Sequence, residues 1–286
     1  MSPFSFNTTR SIINKPGALD DVANACGKLG IRRPLVITDG GIVRLGLLER
    51  LQSLLSAGGL KPVAFTEVIA DPPEQIVQDA LEVGQRHDAD GVIGLGGGSS
   101  MDTAKVVALL AGSGEKVEDA YGVDQARGPR LPLILIPTTA GTGSEVTAVA
   151  ILTSGDTTKQ GIVSDHLYPD IAVLDAALTL GLPPRLTAMT GVDAMVHALE
   201  AYTSAHKKNA YSDMLAREAL RLMSENIVQA THDGDDLAAR EAMLLGACLA
   251  GQAFANAPVA AVHALAYPLG GHYHIPHGLS TSLVLP

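Results

Sequence analysis

The chain has 286 residues, of which 47 % are hydrophobic and 17 % charged, a composition that suits two compact domains and argues against intrinsic disorder. Its formal net charge is −10 and it has no run of Lys or Arg, so it would repel a phosphate backbone and we expect no nucleic-acid partner. The two cysteines, Cys26 and Cys248, match no metal-binding spacing, which favours buried thiols in a reducing cytoplasm.

No part of the sequence predicts export or a membrane span. Residues 1–17 are interrupted by polar residues and Pro3, so they lack the apolar core of a signal peptide. Residues 248–271 contain no Lys, Arg, Asp or Glu and are long enough to cross a bilayer, but Gln252, Asn256 and Pro258 would leave polar groups unsatisfied in lipid. We therefore expect a buried helix pair there and no membrane partner.

Up to about residue 180, short apolar runs rich in β-branched residues alternate with longer helical patterns. Strands are predicted at residues 34–38, 62–68, 91–95 and 131–137, with further extended segments at 146–153, 159–164 and 171–175. Helices are predicted near residues 42–57, 73–86 and 99–112. Alternation of this kind predicts an α/β domain with a mainly parallel sheet covered by helices.

The pattern changes at GLPP, residues 181–184. Ala-, Leu- and Met-rich stretches follow, with no convincing strand before the last few residues. Helices are predicted over residues 185–204, 209–229, 235–256 and 258–270. We therefore expect an α/β domain over residues 1–182 and an all-α domain over residues 183–286.

The stretch GVIGLGGGSSMDTAK, residues 91–105, leads from a predicted strand through a cluster of glycines into a helix. Glycines allow the backbone to approach a pyrophosphate closely, and a helix N-terminus offers unpaired N–H groups and the positive end of a dipole. Ser99 and Asp102 fit a helix-capping pair, and both are candidate cofactor-binding residues. The turn departs from GxGxxG at Ser99, and a tight strand-to-helix turn without a ligand is the alternative interpretation.

A second loop, PTTAGTGSEVT at residues 137–147, also follows an apolar strand. It places four hydroxyl groups beside flexible backbone, those of Thr138, Thr139, Thr142 and Ser144. Two such loops at the carboxyl ends of parallel strands predict one nucleotide crevice. Asp39 directly follows the first predicted strand and is placed to accept hydrogen bonds from a ribose 2′-OH, which favours NAD over NADP, although Asp is also common in turns.

In GVDAMVHALEAY, residues 191–202, an Asp and a His stand four positions apart in an apolar helical stretch. Such positions share one helix face, so Asp193 and His197 can converge on a metal ion, although a structural His is the commoner case. Four of the nine histidines fall within fifteen residues further along: His263, His272, His274 and His277. A carboxylate with neutral imidazoles suits Fe(II) or Zn(II), and the residues alone leave open which histidines ligate.

Four signatures occur in order, GGGSSMDTAK, PTTAGTGSE, LPPRLTAMTGVDAMVHALEAYTS and NAPVAAVHALAYPLGGHYHIPHG. With them the chain resembles the iron-containing, group III alcohol dehydrogenases, which are related in fold to glycerol dehydrogenase and dehydroquinate synthase. The resemblance implies that the helical domain binds the metal through Asp193, His197, His263 and His277. It implies dinucleotide contacts from Asp39, Gly96, Gly97, Gly98, Ser99, Thr138, Thr139, Thr142, Ser144 and Lys159.

The activity implied by this resemblance is reversible hydride transfer between NAD and a small primary alcohol or aldehyde, with Fe(II) or Zn(II) as Lewis acid and NADP as the alternative cofactor. A homo-oligomer, a dimer or larger, is also implied. Many members carry a proton-relaying His four residues after the ligand His263, where this chain has Tyr267. A phenol is a poorer proton carrier at neutral pH, so the relay candidates are Tyr267, His272 and His274.

Family members usually continue through further helices beyond a point resembling SLVLP, so the all-α domain is expected to be incomplete relative to the family. A truncated subunit that binds nucleotide and metal without turnover is therefore an alternative function, as is a polyol dehydrogenase of the glycerol type. A lyase of the dehydroquinate synthase type is disfavoured because the helical half is poor in Lys and Arg. A metal-dependent hydrolase would make no use of two nucleotide loops.

Overall fold

A computed structural model of the chain describes residues 3–155, 158–258, 260–273 and 275–285, without the side chains of residues 267 and 270–272. The fold divides into two compact units. An α/β unit comprises Thr9–Thr138 and Ala148–Asp175, and a helical unit comprises the residues through Thr8, Thr139–Thr147 and the residues from Ala176 onward. The helical unit thus includes most of the hydroxyl-rich loop, which the sequence pattern assigns to the α/β domain.

Most of the chain forms regular secondary structure. The strands are β1 (Ser11–Asn14), β2 (Pro34–Asp39), β3 (Val63–Val68), β4 (Gly91–Gly96), β5 (Gly122–Val123), β6 (Leu133–Pro137), β7 (Val149–Ser154), β8 (Thr158–Val163) and β9 (Ile171–Leu174). The helices are α1 (Val22–Lys28), α2 (Gly40–Arg44), α3 (Leu47–Ala57), α4 (Glu74–Arg86), α5 (Gly98–Ser113), α6 (Val117–Ala120), α7 (Pro184–Thr203), α8 (Ala210–His232), α9 (Leu237–Asn256), α10 (Ala261–Tyr273) and α11 (His277–Val284).

Within the described residues, the α/β unit contains a large sheet of order β1-β9-β6-β4-β2-β3, in which every neighbouring pair is parallel. From α7 onward the described elements are all helices. The predicted fold class, a parallel-sheet α/β domain followed by a helical domain, is therefore confirmed.

The central strands of the large sheet are buried on both faces, as is usual for parallel strands covered by helices. Every residue of β4 and β6 is buried, and β2 is buried through Thr38. Apolar runs that include Leu133 and Ile134 therefore form strands without the alternation of a half-exposed strand. The register pairs Gly96 at the end of β4 with Pro137 at the end of β6, so the loops that follow both strands leave the same edge of the sheet.

The extended segments predicted between residues 146 and 164 form a second, small sheet instead of joining the large one. Its strand β8 pairs antiparallel with β7 and parallel with β5. Helix α5 is tied to β7 by two of its side chains, because Asp102 accepts from the Ile151 N–H at 3.0 Å and the buried Lys105 donates to the Val149 carbonyl at 2.8 Å.

Some local predictions differ from the structure. The single helix predicted at residues 42–57 is the pair α2 and α3, because the chain turns at Gly46, which has a φ of 72°. The sequence pattern does not predict β1, whose two apolar residues are flanked by Ser11 and Asn14 and lie at the sheet edge. Near the end of the described chain, where the sequence pattern leaves a strand open, residues His277–Val284 form helix α11.

Small side chains line the contacts among α7, α8 and α9. Ala194, Ala198, Ala216, Ala219 and Ala247 are all buried where these helices pack together. Their size lets these three helix backbones approach one another closely.

The apolar segment at residues 248–271 is divided between two helices, since α9 ends at Asn256 and α10 begins at Ala261. Among the described helices, none has the length and apolar character that crossing a bilayer requires.

Candidate metal centre

Helix α7 supplies the first two side chains of the candidate metal centre. The helix carries Pro184 in its first turn, where the proline ring fixes a helical φ. Backbone N–H groups in a first turn have no acceptor within the helix, so the N–H that proline lacks costs no hydrogen bond. Asp193 and His197 lie one turn apart on the same face, and only 3 % and 5 % of their surfaces are exposed. A carboxylate and an imidazole are therefore buried side by side in the helical unit.

Two more histidines join this pair from other helices. His263 lies in the first turn of α10, and His277 is the first residue of α11. One potential ligand atom from each of these four residues lies within 4.8 Å of the others. His277 Nε2 is 3.5 Å from Asp193 Oδ1, and the His197 and His263 rings stack with centroids 4.6 Å apart. Four groups that can ligate a metal thus converge at one point.

The chemistry of this cluster fits a divalent transition metal. His197 Nδ1 is buried without a hydrogen-bond partner among the described residues, a state that costs about 1–3 kcal/mol unless a ligand uses the nitrogen. Burial, opposed by the nearby Asp193 carboxylate, lowers the pKa of His197 to about 4, so its imidazole is neutral and able to ligate at pH 7. One carboxylate and three imidazoles suit Fe(II) or Zn(II) and offer too few oxygens for Ca²⁺.

Two buried residues outside the predicted set contact the cluster. Thr281 Oγ1 lies 3.0 Å from Asp193 Oδ1, to which it can donate, and 3.1 Å from the Gly278 carbonyl of its own helix, which competes for the same proton. Glu200 Oε2 lies 2.5 Å from His263 Nδ1. The helical spacing can indicate Glu200, because it follows His197 by three positions and so shares its side of α7. The hydroxyl of Thr281 gives no comparable signal in the sequence.

Helix α11 approaches α7 closely at the residue after His277. A Cβ at Gly278 would lie only 2.5 Å from the carbonyl oxygen of Met189 on α7. The absence of a side chain therefore lets the first turn of α11, which contains His277, pack directly against the α7 backbone.

The glycine-rich turn lies in the α/β unit, between β4 and α5. Gly96 has a φ of 149°, and a Cβ there would lie 2.7 Å from Ser100 Oγ and 3.2 Å from Asp39 Oδ2. Both the backbone conformation and the lack of space therefore require glycine at this position.

Helix α5 begins at Gly98, with Gly97 at its N-cap and no capping side chain in the described part of the chain. The predicted Ser99–Asp102 capping pair is wrong, because the helix starts before Ser99 and the Asp102 carboxylate bonds to strand β7. The N-terminus of α5 consequently presents backbone N–H groups from Gly97, Gly98 and Ser99, the arrangement that binds phosphate in many proteins.

Asp39 ends strand β2 beside this turn. Its Oδ1 accepts hydrogen bonds from the backbone N–H groups of Gly41 at 2.7 Å and Ile42 at 3.2 Å, which caps α2, and its Oδ2 accepts from the Ser100 hydroxyl at 3.3 Å. Asp39 thus has a local structural role at the turn, and its contact with a ribose stays a prediction.

The residues of the hydroxyl-rich loop fall in both units. Thr138 belongs to the α/β unit, where its backbone N–H donates to the Gly96 carbonyl at 3.0 Å. Thr139, Thr142 and Ser144 belong to the helical unit. There Thr142 Oγ1 accepts from the Ser144 N–H at 3.3 Å, and a 3-10 helix that begins at Ser144 packs against α9.

The remaining predicted site residues lie elsewhere or are not described. Lys159 is on β8, and its Nζ pairs with the exposed carboxylate of Asp71 at 2.6 Å. His274 lies outside the described residues, as do the side chains of Tyr267 and His272. The adenosine contact and the proton relay therefore stay predictions.

Two sequence-family models match consecutive parts of the chain. The model for iron-containing alcohol dehydrogenase matches residues 9–176, and the model for the C-terminal region of the Fe-containing alcohol dehydrogenase family matches residues 187–286. The two matches cover the α/β sheet and the four side chains of the candidate metal centre.

Individual relatives agree with this match. Long-chain-alcohol dehydrogenase 1 of Geobacillus thermodenitrificans (strain NG80-2) is 45 % identical over 273 residues, which cover 94 % of this chain and 69 % of that protein. The crystal structure of a 1,3-propanediol oxidoreductase matches with a TM-score of 0.97 and 36 % identity, covering 100 % of this chain and 75 % of the other. Sulfoacetaldehyde reductase from Bifidobacterium kashiwanohense, solved in complex with NAD+, matches with a TM-score of 0.93 and 30 % identity, covering 100 % and 76 %. The chain belongs to the iron-containing alcohol dehydrogenase family.

Proposed function

We propose that the protein is an NAD-linked, metal-dependent alcohol dehydrogenase and aldehyde reductase that acts on a small primary alcohol or aldehyde. The observation that carries this proposal is the convergence of Asp193, His197, His263 and His277 within 4.8 Å in the helical unit. Membership of the iron-containing alcohol dehydrogenase family supports the reaction class.

These four side chains would hold Fe(II) or Zn(II). When bound, the ion supplies a Lewis acid for the substrate oxygen and the nicotinamide supplies the hydride acceptor or donor. Asp193 brings one negative charge and the neutral imidazoles bring none, so the protein neutralises only part of the charge of a divalent cation. Burial of Asp193, His197 and His263 excludes water from most of the ligand set.

The dinucleotide would bind at the glycine-rich turn, with its pyrophosphate at the backbone N–H groups that begin α5. Asp39 would accept a hydrogen bond from a ribose hydroxyl and repel a 2′-phosphate, which supports NAD over NADP. The related sulfoacetaldehyde reductase solved with NAD+ supports the same choice. Further proposed contacts come from Asp102, Thr138, Thr139, Thr142, Ser144 and Lys159.

The substrate would be a small aliphatic alcohol or aldehyde. The relatives are named for a long-chain alcohol, 1,3-propanediol and sulfoacetaldehyde, which are all aliphatic. The protein has no Trp and only 3 % aromatic residues, which suits a site lined by small aliphatic side chains. Tyr267, His272 and His274 are the proposed proton carriers, and we further propose a homo-oligomer in the cytoplasm.

A turnover assay on the purified, metal-stripped chain tests this function. NAD+ is offered with ethanol, 1-octanol, 1,3-propanediol and glycerol, and NADH with the corresponding aldehydes, while NADH absorbance is followed. We expect turnover only after Fe(II) or Zn(II) is restored, and faster turnover with NAD than with NADP. Metal binding without turnover on any substrate would support the non-catalytic subunit instead, and preference for glycerol would support the polyol dehydrogenase.

A further inference from the structure

Glu200 is a buried carboxylate in the helical unit that is not one of the four candidate ligands. It lies on α7, three residues after His197, and only 3 % of its surface is exposed. Burying a charged carboxylate is strongly unfavourable unless other groups compensate for the lost water. The groups that Glu200 contacts should therefore indicate what its charge does.

Both oxygens of Glu200 are directed at the first turn of α10. Oε1 accepts hydrogen bonds from the backbone N–H groups of Val262 at 2.6 Å and His263 at 3.4 Å. Oε2 lies 2.5 Å from His263 Nδ1, and because an ionised carboxylate can only accept, the ring nitrogen is the donor of this hydrogen bond. One side chain thus holds both the backbone and the ring of His263.

We propose that Glu200 is the positioning residue of the metal centre, which sets the orientation and the tautomer of His263. With its proton on Nδ1 and donated to Glu200, the imidazole carries its lone pair on Nε2, the nitrogen that can then ligate a metal. The carboxylate also increases the electron density of the ring, as carboxylates behind metal-bound histidines do. The inference rests on the proposed metal centre but not on turnover.

An amide at this position separates the proposal from simple packing. In Glu200→Gln the side chain keeps its shape, and its oxygen can still accept from the Val262 N–H. Its NH2 group then faces His263 Nδ1 and can only donate, so the ring proton must move to Nε2 and remove the lone pair from that nitrogen. Reversing the amide would set its NH2 group against the Val262 N–H, where two donors meet.

The tautomer can be read directly in the metal-free protein by NMR of ¹⁵N-labelled histidine side chains. The His263 signals are identified by their loss in His263→Gln. In the unsubstituted chain we expect the His263 proton on Nδ1, and in Glu200→Gln we expect it on Nε2. A proton on Nε2 in the unsubstituted chain, or the same tautomer in both proteins, would overturn the proposal.

Metal affinity gives a second readout. Competition with a coloured chelator for Zn(II), together with the visible spectrum of bound Co(II), is compared among the unsubstituted chain, Glu200→Gln, Glu200→Asp and the control Glu225→Gln. Glu225 is a suitable control because it lies on α8, exposed and paired with Arg221. We expect Glu200→Gln to bind Zn(II) about 10- to 100-fold more weakly and to alter the Co(II) spectrum, and Glu225→Gln to change neither.

Glu200→Asp keeps the inference testable if the amide variant does not fold. The shorter carboxylate can still accept the His263 proton, so we expect this variant to retain the Nδ1–H tautomer. We also expect it to bind Zn(II) more tightly than Glu200→Gln does. If Glu200→Gln is unfolded, the comparison is made with Glu200→Ala. Equal affinities for the carboxylate and its replacement, at equal thermal midpoints of the metal-free proteins, would overturn the proposal. A chain that binds metal without oxidising any alcohol would refute the proposed function and leave the role of Glu200 standing.

Discussion

The glycine-rich turn of the α/β unit and the metal cluster of the helical unit are built in opposite ways. The turn presents backbone N–H groups, and its decisive residue, Gly96, acts by having no side chain. The cluster consists of side chains that come from three helices, and all of them except His277 are buried.

This difference determines what each region needs from its ligand. In the turn, the Asp39 carboxylate already accepts hydrogen bonds from the Ser100 hydroxyl and from the backbone N–H of Gly41 at the start of α2. In the cluster, the buried His197 Nδ1 has no hydrogen-bond partner in the described part of the chain. The metal centre should therefore depend on its ligand for stability far more than the turn does.

Removal of one ligand should have the largest effect. His277→Ala leaves three candidate ligands, so we expect the bound metal to be lost, with a fall in affinity beyond the roughly 100-fold typical of supporting residues, and turnover to be lost with it. Nucleotide binding at the turn should be unchanged. Elemental analysis, NADH absorbance and NAD+ titration measure the three properties.

His206→Ala is the matched control, because His206 is exposed and outside the cluster. If His277→Ala keeps both its metal and its turnover, the ligand assignment is wrong.

The stability of the metal-free protein should depend on pH through His197. The pKa of His197 is about 4 in the folded chain and 6.5 ordinarily, so between these values the unfolded chain binds a proton that the folded chain does not. Above about pH 6.5 His197 is neutral in both states and does not reduce stability. As the pH decreases to about 4, we expect the free energy of unfolding to fall by on the order of 3 kcal/mol. Urea unfolding across this range measures it.

His197→Gln removes this titrating group and leaves every other one in place. Its free energy of unfolding should therefore vary less with pH than that of the unsubstituted metal-free chain. Identical pH profiles would show that His197 titrates normally.

A methyl group in the turn should damage the α/β unit and spare the metal centre. In Gly96→Ala the new Cβ would lie 2.7 Å from Ser100 Oγ, so we expect a loss of stability of about 1–3 kcal/mol, measured by urea unfolding, together with weaker NAD+ binding. Zn(II) affinity should not change.

Gly114→Ala isolates the steric part of this effect. Gly114 also has a positive φ, 72°, but a Cβ there meets no atom within 4 Å. Equal losses in the two variants would mean that backbone conformation, and not crowding at the turn, explains the whole effect.

The smallest effect should come from the hydroxyl that supports Asp193. Thr281→Val keeps the shape and removes the hydrogen bond to Asp193 Oδ1, so we expect Zn(II) to bind about 10-fold more weakly. Chelator competition measures the change. Thr203→Val removes a hydroxyl that bonds to the Leu199 carbonyl on the same helix, and it should leave the affinity unchanged. A matching decrease in both variants would refute the role of Thr281.

The large sheet can be predicted from the sequence because its central strands are uninterrupted apolar runs bounded by turns. The pattern fails where burial is incomplete, as in β1, whose two isoleucines, Ile12 and Ile13, are flanked by polar residues. It also cannot show which extended segments share a sheet, because the hydrogen bonds that tie β7 to α5 come from Asp102 and Lys105, distant along the chain.

The candidate metal centre likewise contains residues that can be predicted from local sequence and residues that cannot. Helical spacing alone brings Asp193 and His197 together, because one turn of helix fixes their separation. His263 and His277 could be selected among the later histidines only through family motifs, since no local rule relates residues on different helices. Thr281 could not be predicted, because a hydroxyl inside a helix commonly bonds to its own backbone, as that of Thr281 also can through the Gly278 carbonyl, and the sequence gives no sign of the second contact with Asp193.

Helix α11 has only eight residues, fewer than an isolated helix needs to persist in water. Three contacts within its first five residues hold it against α7: His277 in the cluster, Gly278 against Met189, and Thr281 beside Asp193. A cation bound by both His277 and Asp193 would link the two helices. Protease cleavage within α11 should therefore be slower in the metal-bound protein than in the metal-free one, even before any substrate is supplied.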